Sequence, residues 1–117
     1  MEKQNIVSIW LGKFNSKEEW REYLKEIYNE SGDISSQFMN DFNISFYDNQ
    51  FFESEFIINP TMQNLIEPLS YSDFFKKNFL NIENGINVVI AIYNFEFSKN
   101  ILNKNNVKFI DSFSYKL

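Results

Sequence analysis

The stretch Val-Val-Ile-Ala-Ile-Tyr, residues 88–93, decides the fold class of this chain. It is continuously apolar and rich in β-branched residues, which is typical of a strand covered on both faces. Residues 94–97 (NFEF) then alternate between polar and apolar, as a strand does when one face meets water. The stretch therefore predicts a central strand of a buried sheet.

One further strand is predicted near each end of the chain. Residues 5–12 (NIVSIWLG) are short, apolar and closed by a glycine. Residues 107–115 alternate so that Val107, Phe109, Phe113 and Tyr115 share one face. Asp111 falls on that same apolar face, so we expect either a partner for it or a bulge near residues 111–112 that turns it outward.

A capped amphipathic helix is predicted after the first strand. Ser16 and Glu19 have the spacing of a capping box, and Gly32 is the expected end of the helix. One face of it carries the apolar positions Trp20, Tyr23, Leu24, Ile27 and Tyr28.

The middle of the chain predicts short elements. Helices are expected over residues 35–42, 61–66 and 73–80, the last capped by Ser70 or Ser72, and one or two helical turns within 98–106. Residues 46–56 (FYDNQFFESEF) predict two short strands around a turn at 48–49. In that arrangement Phe46, Phe52 and Phe56 are buried and the segment presents Tyr47, Asp48, Phe51, Glu53 and Glu55. The fold expected for residues 1–117 is a single α/β domain, more narrowly α+β, with the middle helices packed on a small sheet from the two ends.

Composition excludes most enzyme classes. The chain has no cysteine and no histidine, so it lacks a thiol nucleophile, a thiolate metal site and the commonest general base. No run of 18 apolar residues is present, and the N-terminus lacks the layout of a signal peptide. We therefore expect a soluble cytoplasmic protein with no membrane partner.

Charge is distributed unevenly along the chain. Residues 26–75 contain nine carboxylates, eleven aromatic residues and no lysine or arginine. A field of one sign repels nucleic acid and anionic membrane and attracts a basic protein surface. A solvated acidic surface without a partner is the simpler interpretation of the same pattern.

No candidate constellation indicates catalysis. Asp48, Glu53 and Glu55 lie close enough in sequence to bind Mg²⁺ or Ca²⁺ or to act as an acid/base pair, but the calcium-loop glycine is absent. No G-x-S-x-G or S-x-x-K spacing occurs, and the three glycines form no phosphate loop. The lysines are scattered, which argues against nucleic-acid binding. We expect no catalytic residue, no cofactor and no metal.

Several strings taken together resemble the immunity protein 22 family of bacterial polymorphic toxin and contact-dependent inhibition systems. They are residues 7–14 (VSIWLGKF) with the helix that follows, 46–48 (FYD) with 51–53 (FFE), 93–97 (YNFEF), and 109–115 (FIDSFSY). The resemblance implies a small protein that binds and neutralises a cognate toxin domain. By position it supports Tyr47, Asp48 and Glu53.

The expected partner is a toxin domain with a basic face, a nuclease being the hypothesis that charge favours. The alternative is an acidic adaptor or regulatory protein that binds another basic protein. The predicted contact residues are Asp41, Tyr47, Asp48, Phe51, Glu53, Glu55, Glu67 and Asp73.

Overall fold

Strands from both ends of the chain and from its middle build a five-stranded antiparallel sheet, in which the neighbouring strands follow the order 52–56, 88–95, 2–12, 107–114 and 103–104. The computed structural model describes residues 2–79, 83–98 and 100–116. The sheet strands are β1 (Glu2–Gly12), β4 (Phe52–Phe56), β5 (Val88–Phe95), β6 (Asn103–Lys104) and β7 (Val107–Ser114). The predicted sheet from the N-terminal strand and the two C-terminal strands is confirmed, with β4 and β6 added at its edges.

Helical segments cover both faces of the sheet. On one face α1 (Lys17–Leu24) and α2 (Gln37–Asp41) pack over Trp10, which also contacts the rings of Phe97 and Phe109. On the other face lie α3 (Met62–Leu65) and two 3₁₀ turns, Ser72–Phe74 and Lys76–Phe79. Residues of β5 contribute alternately to the two cores, so the prediction of a strand covered on both faces is confirmed. No helix in the described ranges is long and apolar enough to cross a membrane.

The first helix begins as predicted. The Ser16 hydroxyl accepts the Glu19 amide at 3.1 Å, while the Glu19 carboxylate accepts the amide of Asn15 rather than that of Ser16. Since both contacts are local, the sequence was sufficient to place this end of the helix.

The predicted end of that helix was wrong. The helix ends at Leu24, and a two-stranded sheet of β2 (Ile27–Tyr28) and β3 (Ile34–Ser35) follows. The Asn29 side chain accepts the amides of Ser31 and Asp33, both at 2.9 Å. Such local side-chain bonds offer the backbone an alternative to helix, so Ile27 and Tyr28 are exposed instead of continuing the apolar face.

A bulge in β7 divides its apolar residues between the two faces. Trp10 lies opposite Phe109 and Ile9 opposite Asp111, which leaves Ile110 as the extra residue. Asp111 is exposed, as the bulge alternative predicted, but the single face predicted for the four aromatic and aliphatic residues was wrong. Beyond the bulge, Phe113 joins the core on the second face.

Two other helix predictions need correction. Residues 100–106 form β6 and a turn instead of helix, and Lys99 lies outside the described residues. Over residues 72–79 the chain forms two 3₁₀ turns with no side-chain cap on the first, and Leu80 lies outside the described part. The short helices predicted over 35–42 and 61–66 are present as α2 and α3.

Candidate functional site

An exposed phenylalanine stands where three grooves meet, at the end of the sheet where β5 finishes. Phe46 is 72% exposed. One groove, of about 140 Å³, runs toward the β2–β3 hairpin. A second, of about 320 Å³, runs toward Phe95 and Phe97, and a third, of about 60 Å³, lies against Tyr93 and Asn94. Phe46 therefore projects from a surface that is concave around it.

The loop that carries Phe46 is held on both sides. Asn43 has a left-handed backbone (φ 54°), and the amide of Ile44 donates to the carbonyl of Met39 at 2.8 Å. Ile44, two residues before Phe46, and Tyr47, directly after it, are both buried, whereas Ser45 is exposed like Phe46. Ser45 and Phe46 thus form a short exposed pair between two residues that are held in the core.

Tyr47 connects the loop to the rest of the fold. Its ring stacks on Phe52 with a centroid distance of 5.2 Å, and its hydroxyl donates to Glu26 at 3.0 Å. Burial, followed by this bond to the Glu26 carboxylate, raises the pKa of Tyr47. Asn49 donates to the other Glu26 oxygen at 3.0 Å. Glu26 is thus held in position with its carboxylate at the wall of the hairpin groove.

Carboxylates surround the exposed ring. The residues that line the three grooves include Glu2, Glu26, Asp33 and Asp48. Within the described ranges, no lysine or arginine lines any of the three. The surface thus combines one apolar projection with four negative charges; we call it the Phe46 surface.

Three of the predicted contact residues line the grooves of the Phe46 surface, namely Asp48, Phe51 and the buried Tyr47. Asp48 lines the smallest groove, and its carboxylate accepts the Gln50 amide at 3.0 Å, which caps the 3₁₀ turn Asn49–Phe51. Phe51 lines the same groove and is 37% exposed. The two strands predicted around residues 48–49 are replaced by this turn and the single strand β4.

Asp41 and Tyr47 lie inside the molecule. The Asp41 carboxylate accepts three hydrogen bonds, from Tyr23 at 3.0 Å, from Gln37 at 2.7 Å and from Asn105 at 2.7 Å. Burial, then the negative charge of Asp41, raises the pKa of Tyr23. These bonds join α1, α2 and the β6–β7 turn, so Asp41 links three segments of the fold.

Glu53 joins β4 to a loop over the second face. Its carboxylate accepts the amide of Ser70 at 3.0 Å and the hydroxyl of Ser70. The Tyr93 hydroxyl donates to the Ser70 carbonyl at 2.6 Å and lies 3.3 Å from the Glu53 carboxylate. Burial, then the Glu53 charge, raises the pKa of Tyr93. Glu53 is half-buried, and both of its carboxylate oxygens accept hydrogen bonds from Ser70.

The remaining predicted contact residues are exposed but lie apart from Phe46. Glu55 is on the edge strand β4. Glu67 and Asp73 lie on the segments that cover the second face, and Asp73 pairs with Lys76 at 3.1 Å. The eight residues therefore do not form one continuous surface, and a contact role for each of them stays a prediction.

The sequence prediction missed Phe46 by exchanging it with its neighbour. Strand alternation placed Phe46 inside and Tyr47 outside, and the structure has them the other way round. The available signal was the pair Ile44 and Tyr47, three residues apart, which turn inward together in a loop. The acceptor for the buried tyrosine hydroxyl lies 21 residues away and gave no local signal.

No group of three or more acidic side chains close enough to hold a metal ion occurs among the residues that the structure describes. Asp48, Glu53 and Glu55, weighed above as ligands, are therefore not brought together with the geometry of such a site.

A family described as Immunity protein 22 matches residues 7–116 of the 117-residue chain. No curated protein and no solved structure shows significant similarity. A match over nearly the full length supports an immunity function.

Proposed function

The chain belongs to the Immunity protein 22 family, and we propose that it binds a cognate bacterial toxin domain and neutralises it as a non-catalytic inhibitor. The proposed partner presents a basic face, and binding covers the surface that the toxin uses to act. The proposed setting is a polymorphic toxin or contact-dependent inhibition system, with this chain acting in the cytoplasm of the producing cell.

The Phe46 surface is the observation that carries this proposal. Interfaces derive most of their affinity from a few aromatic anchors near the centre, with charged groups around them that steer the encounter. Phe46 has the exposure of such an anchor, and four carboxylates line the grooves beside it. A basic partner would gain both a long-range attraction and a place to bury an apolar contact.

A nuclease is the toxin chemistry that this charge fits best. Nuclease sites are basic because they hold phosphates, and carboxylates on an inhibitor can occupy the positions where phosphates bind. Fast capture also matters for an inhibitor of a lethal enzyme, and electrostatic steering raises association rates by 10-fold to 10³-fold. A toxin whose active face is acidic or apolar would contradict the nuclease assignment.

The function is tested by rescue in a sensitive host. The open reading frame immediately upstream of this gene is expressed with and without the chain, and survivors are counted. Killing that the chain alone suppresses supports the proposal. Killing that the chain does not suppress contradicts it for that toxin, and an affinity capture that returns a basic protein that is not a toxin would favour the adaptor.

The charge argument has its own test in the association rate. Glu2→Lys and Asp33→Lys reverse two charges of the Phe46 surface, and Glu83→Lys is the matched control. Glu83 lies in the turn that precedes β5, beside Lys13 and Gly85. Phe46 lies near the opposite end of β5. We expect the first two changes to slow association about tenfold at low salt and to flatten its salt dependence. Equal effects from all three variants would show that net charge acts and no particular surface does.

A further inference from the structure

We propose that Phe46 is the anchor residue of this interface and that it enters a small apolar pocket on the partner ringed by lysine or arginine side chains. This inference rests on the proposed function, since it names the contact by which the toxin is held. It also commits to a partner of one chemistry, a basic protein surface with a pocket the size of an aromatic ring.

The first argument is that Phe46 is exposed while the loop that carries it is already ordered. A phenylalanine that is 72% in water gains from burial, and a ring whose loop is already ordered loses little further entropy on binding. The loop is ordered by Ile44, whose amide is bound to the carbonyl of Met39, and by Tyr47, which is bound to Glu26. This combination of projection and preorganisation is what an anchor requires.

The second argument is the charge that surrounds the ring. Glu26 is held by two hydrogen bonds, from Tyr47 and Asn49, so its negative charge has a fixed position in the groove beside Phe46. Asp33 lines the same groove, and Asp48 lines another. A partner that buries Phe46 brings its own pocket rim against these carboxylates, and only a basic rim complements them.

The third argument comes from the other end of the sheet. Ile58 is 76% exposed and lines a groove with Glu83, whose charge is paired with Lys13 at 3.8 Å. Glu83 is the single carboxylate among the residues described for that groove. Phe56, two residues before Ile58, pairs with Val88 at the start of β5, whereas Phe95 at its end lies beside Phe46. The two ends of β5 are about 24 Å apart at the usual strand rise. Ile58 is thus an exposed apolar side chain without the charged surround, and it is a matched control for Phe46.

The experiment measures the affinity of the purified upstream-encoded toxin domain for the wild-type chain and for Phe46→Ala, Phe46→Leu and Ile58→Ala. Because Phe46 is exposed, Phe46→Ala should keep the wild-type circular dichroism spectrum. If Phe46→Ala does not fold, Phe46→Leu retains most of the apolar volume and tests the same contact. We expect Phe46→Ala to raise Kd by about 30-fold or more, with most of the change in the dissociation rate. Phe46→Leu should fall between wild type and alanine, and Ile58→Ala should bind like wild type.

The outcomes separate the two proposals. If the wild-type chain neither binds nor neutralises this toxin, the proposed function fails and the inference fails with it. If the wild-type chain binds and Phe46→Ala binds within threefold of it, the function stands and the anchor assignment is overturned. A wild-type dimer that Phe46→Ala dissociates would also overturn the assignment, because the ring would then be covered by a second copy of the chain.

Discussion

Replacement of Asp41 by alanine should destabilise the fold strongly, although the residue type and its place in an acidic segment favoured a surface role. Its carboxylate is buried and accepts hydrogen bonds from Tyr23, Gln37 and Asn105. The three donors lie on α1, at the start of α2 and in the β6–β7 turn. The substitution therefore removes a common acceptor for three separate segments.

The size of the destabilisation depends on which of the three donors can bond to water once the carboxylate is removed. Gln37 and Asn105 are exposed, so water replaces much of what they lose, whereas the Tyr23 hydroxyl lies in a buried residue and is left without its acceptor. An orphaned buried donor costs about 1–3 kcal/mol, and a lost bond to a charged group about 1.5 kcal/mol or more. We expect Asp41→Ala to lower the free energy of unfolding by about 3 kcal/mol. For a chain of this size the melting temperature then falls by roughly 12 °C.

Urea denaturation of four proteins tests this reasoning: wild type, Asp41→Ala, Tyr23→Phe and the double variant. Because Tyr23→Phe removes the donor that Asp41→Ala would orphan, the double variant should lose less than the sum of the single variants, by about 1 kcal/mol. Asp33→Ala, an exposed carboxylate of the same segment, is the control and should change stability by less than about 0.5 kcal/mol. Additive losses, or a loss below about 1 kcal/mol for Asp41→Ala, would refute the account of a buried acceptor.

Alkaline pH should destabilise the fold through three tyrosines, Tyr23, Tyr47 and Tyr93, because burial raises their pKa above the ordinary value of 10.0. The neutral hydroxyls stabilise the folded state fully below pH 10. As the pH rises further, the hydroxyls of the unfolded chain ionise first, so this stabilisation is lost. The loss should reach about 4 kcal/mol at pH 11, and urea denaturation at pH 8 and pH 11 measures it. Gly12→Ala should cost about 1–3 kcal/mol in thermal or urea unfolding, because the added Cβ would lie 3.1 Å from Phe14 and 3.3 Å from Val107; a wild-type melting temperature would show that these side chains yield freely. Asp111→Ala should promote self-association, because the Asp111 carboxylate accepts the Ser112 amide at 2.8 Å on a strand that β6 pairs with at only two positions. Analytical ultracentrifugation measures this, and a variant that stays monomeric at high concentration would contradict it.

Several features could be predicted because their causes are local. The run of residues 88–93 is apolar at every position, and a strand of that kind is stable only when both of its faces are covered. Ser16 caps α1 through an amide three residues away, and Thr61 caps α3 in the same way. These signals lie within a few residues of the structure they produce.

The candidate site depended on contacts between residues far apart in sequence. Whether Phe46 or Tyr47 faces the core was decided by Glu26, which lies 21 residues from Tyr47 and accepts its hydroxyl. Asp41 is internal because one of its donors, Asn105, lies 64 residues further along the chain.

The sequence by itself determined the three long strands of the sheet, the cover on both faces of β5 and the acidic character of residues 26–75, because strand periodicity and charge are properties of neighbouring residues. Only the tertiary structure decided which acidic and aromatic side chains reach the surface. A carboxylate or a tyrosine hydroxyl can be buried wherever the fold supplies its hydrogen-bond partners, and for Asp41, Tyr47 and Glu53 those partners come from distant segments. Phe46 is left exposed in a loop that packing holds through the buried side chains of Ile44 and Tyr47.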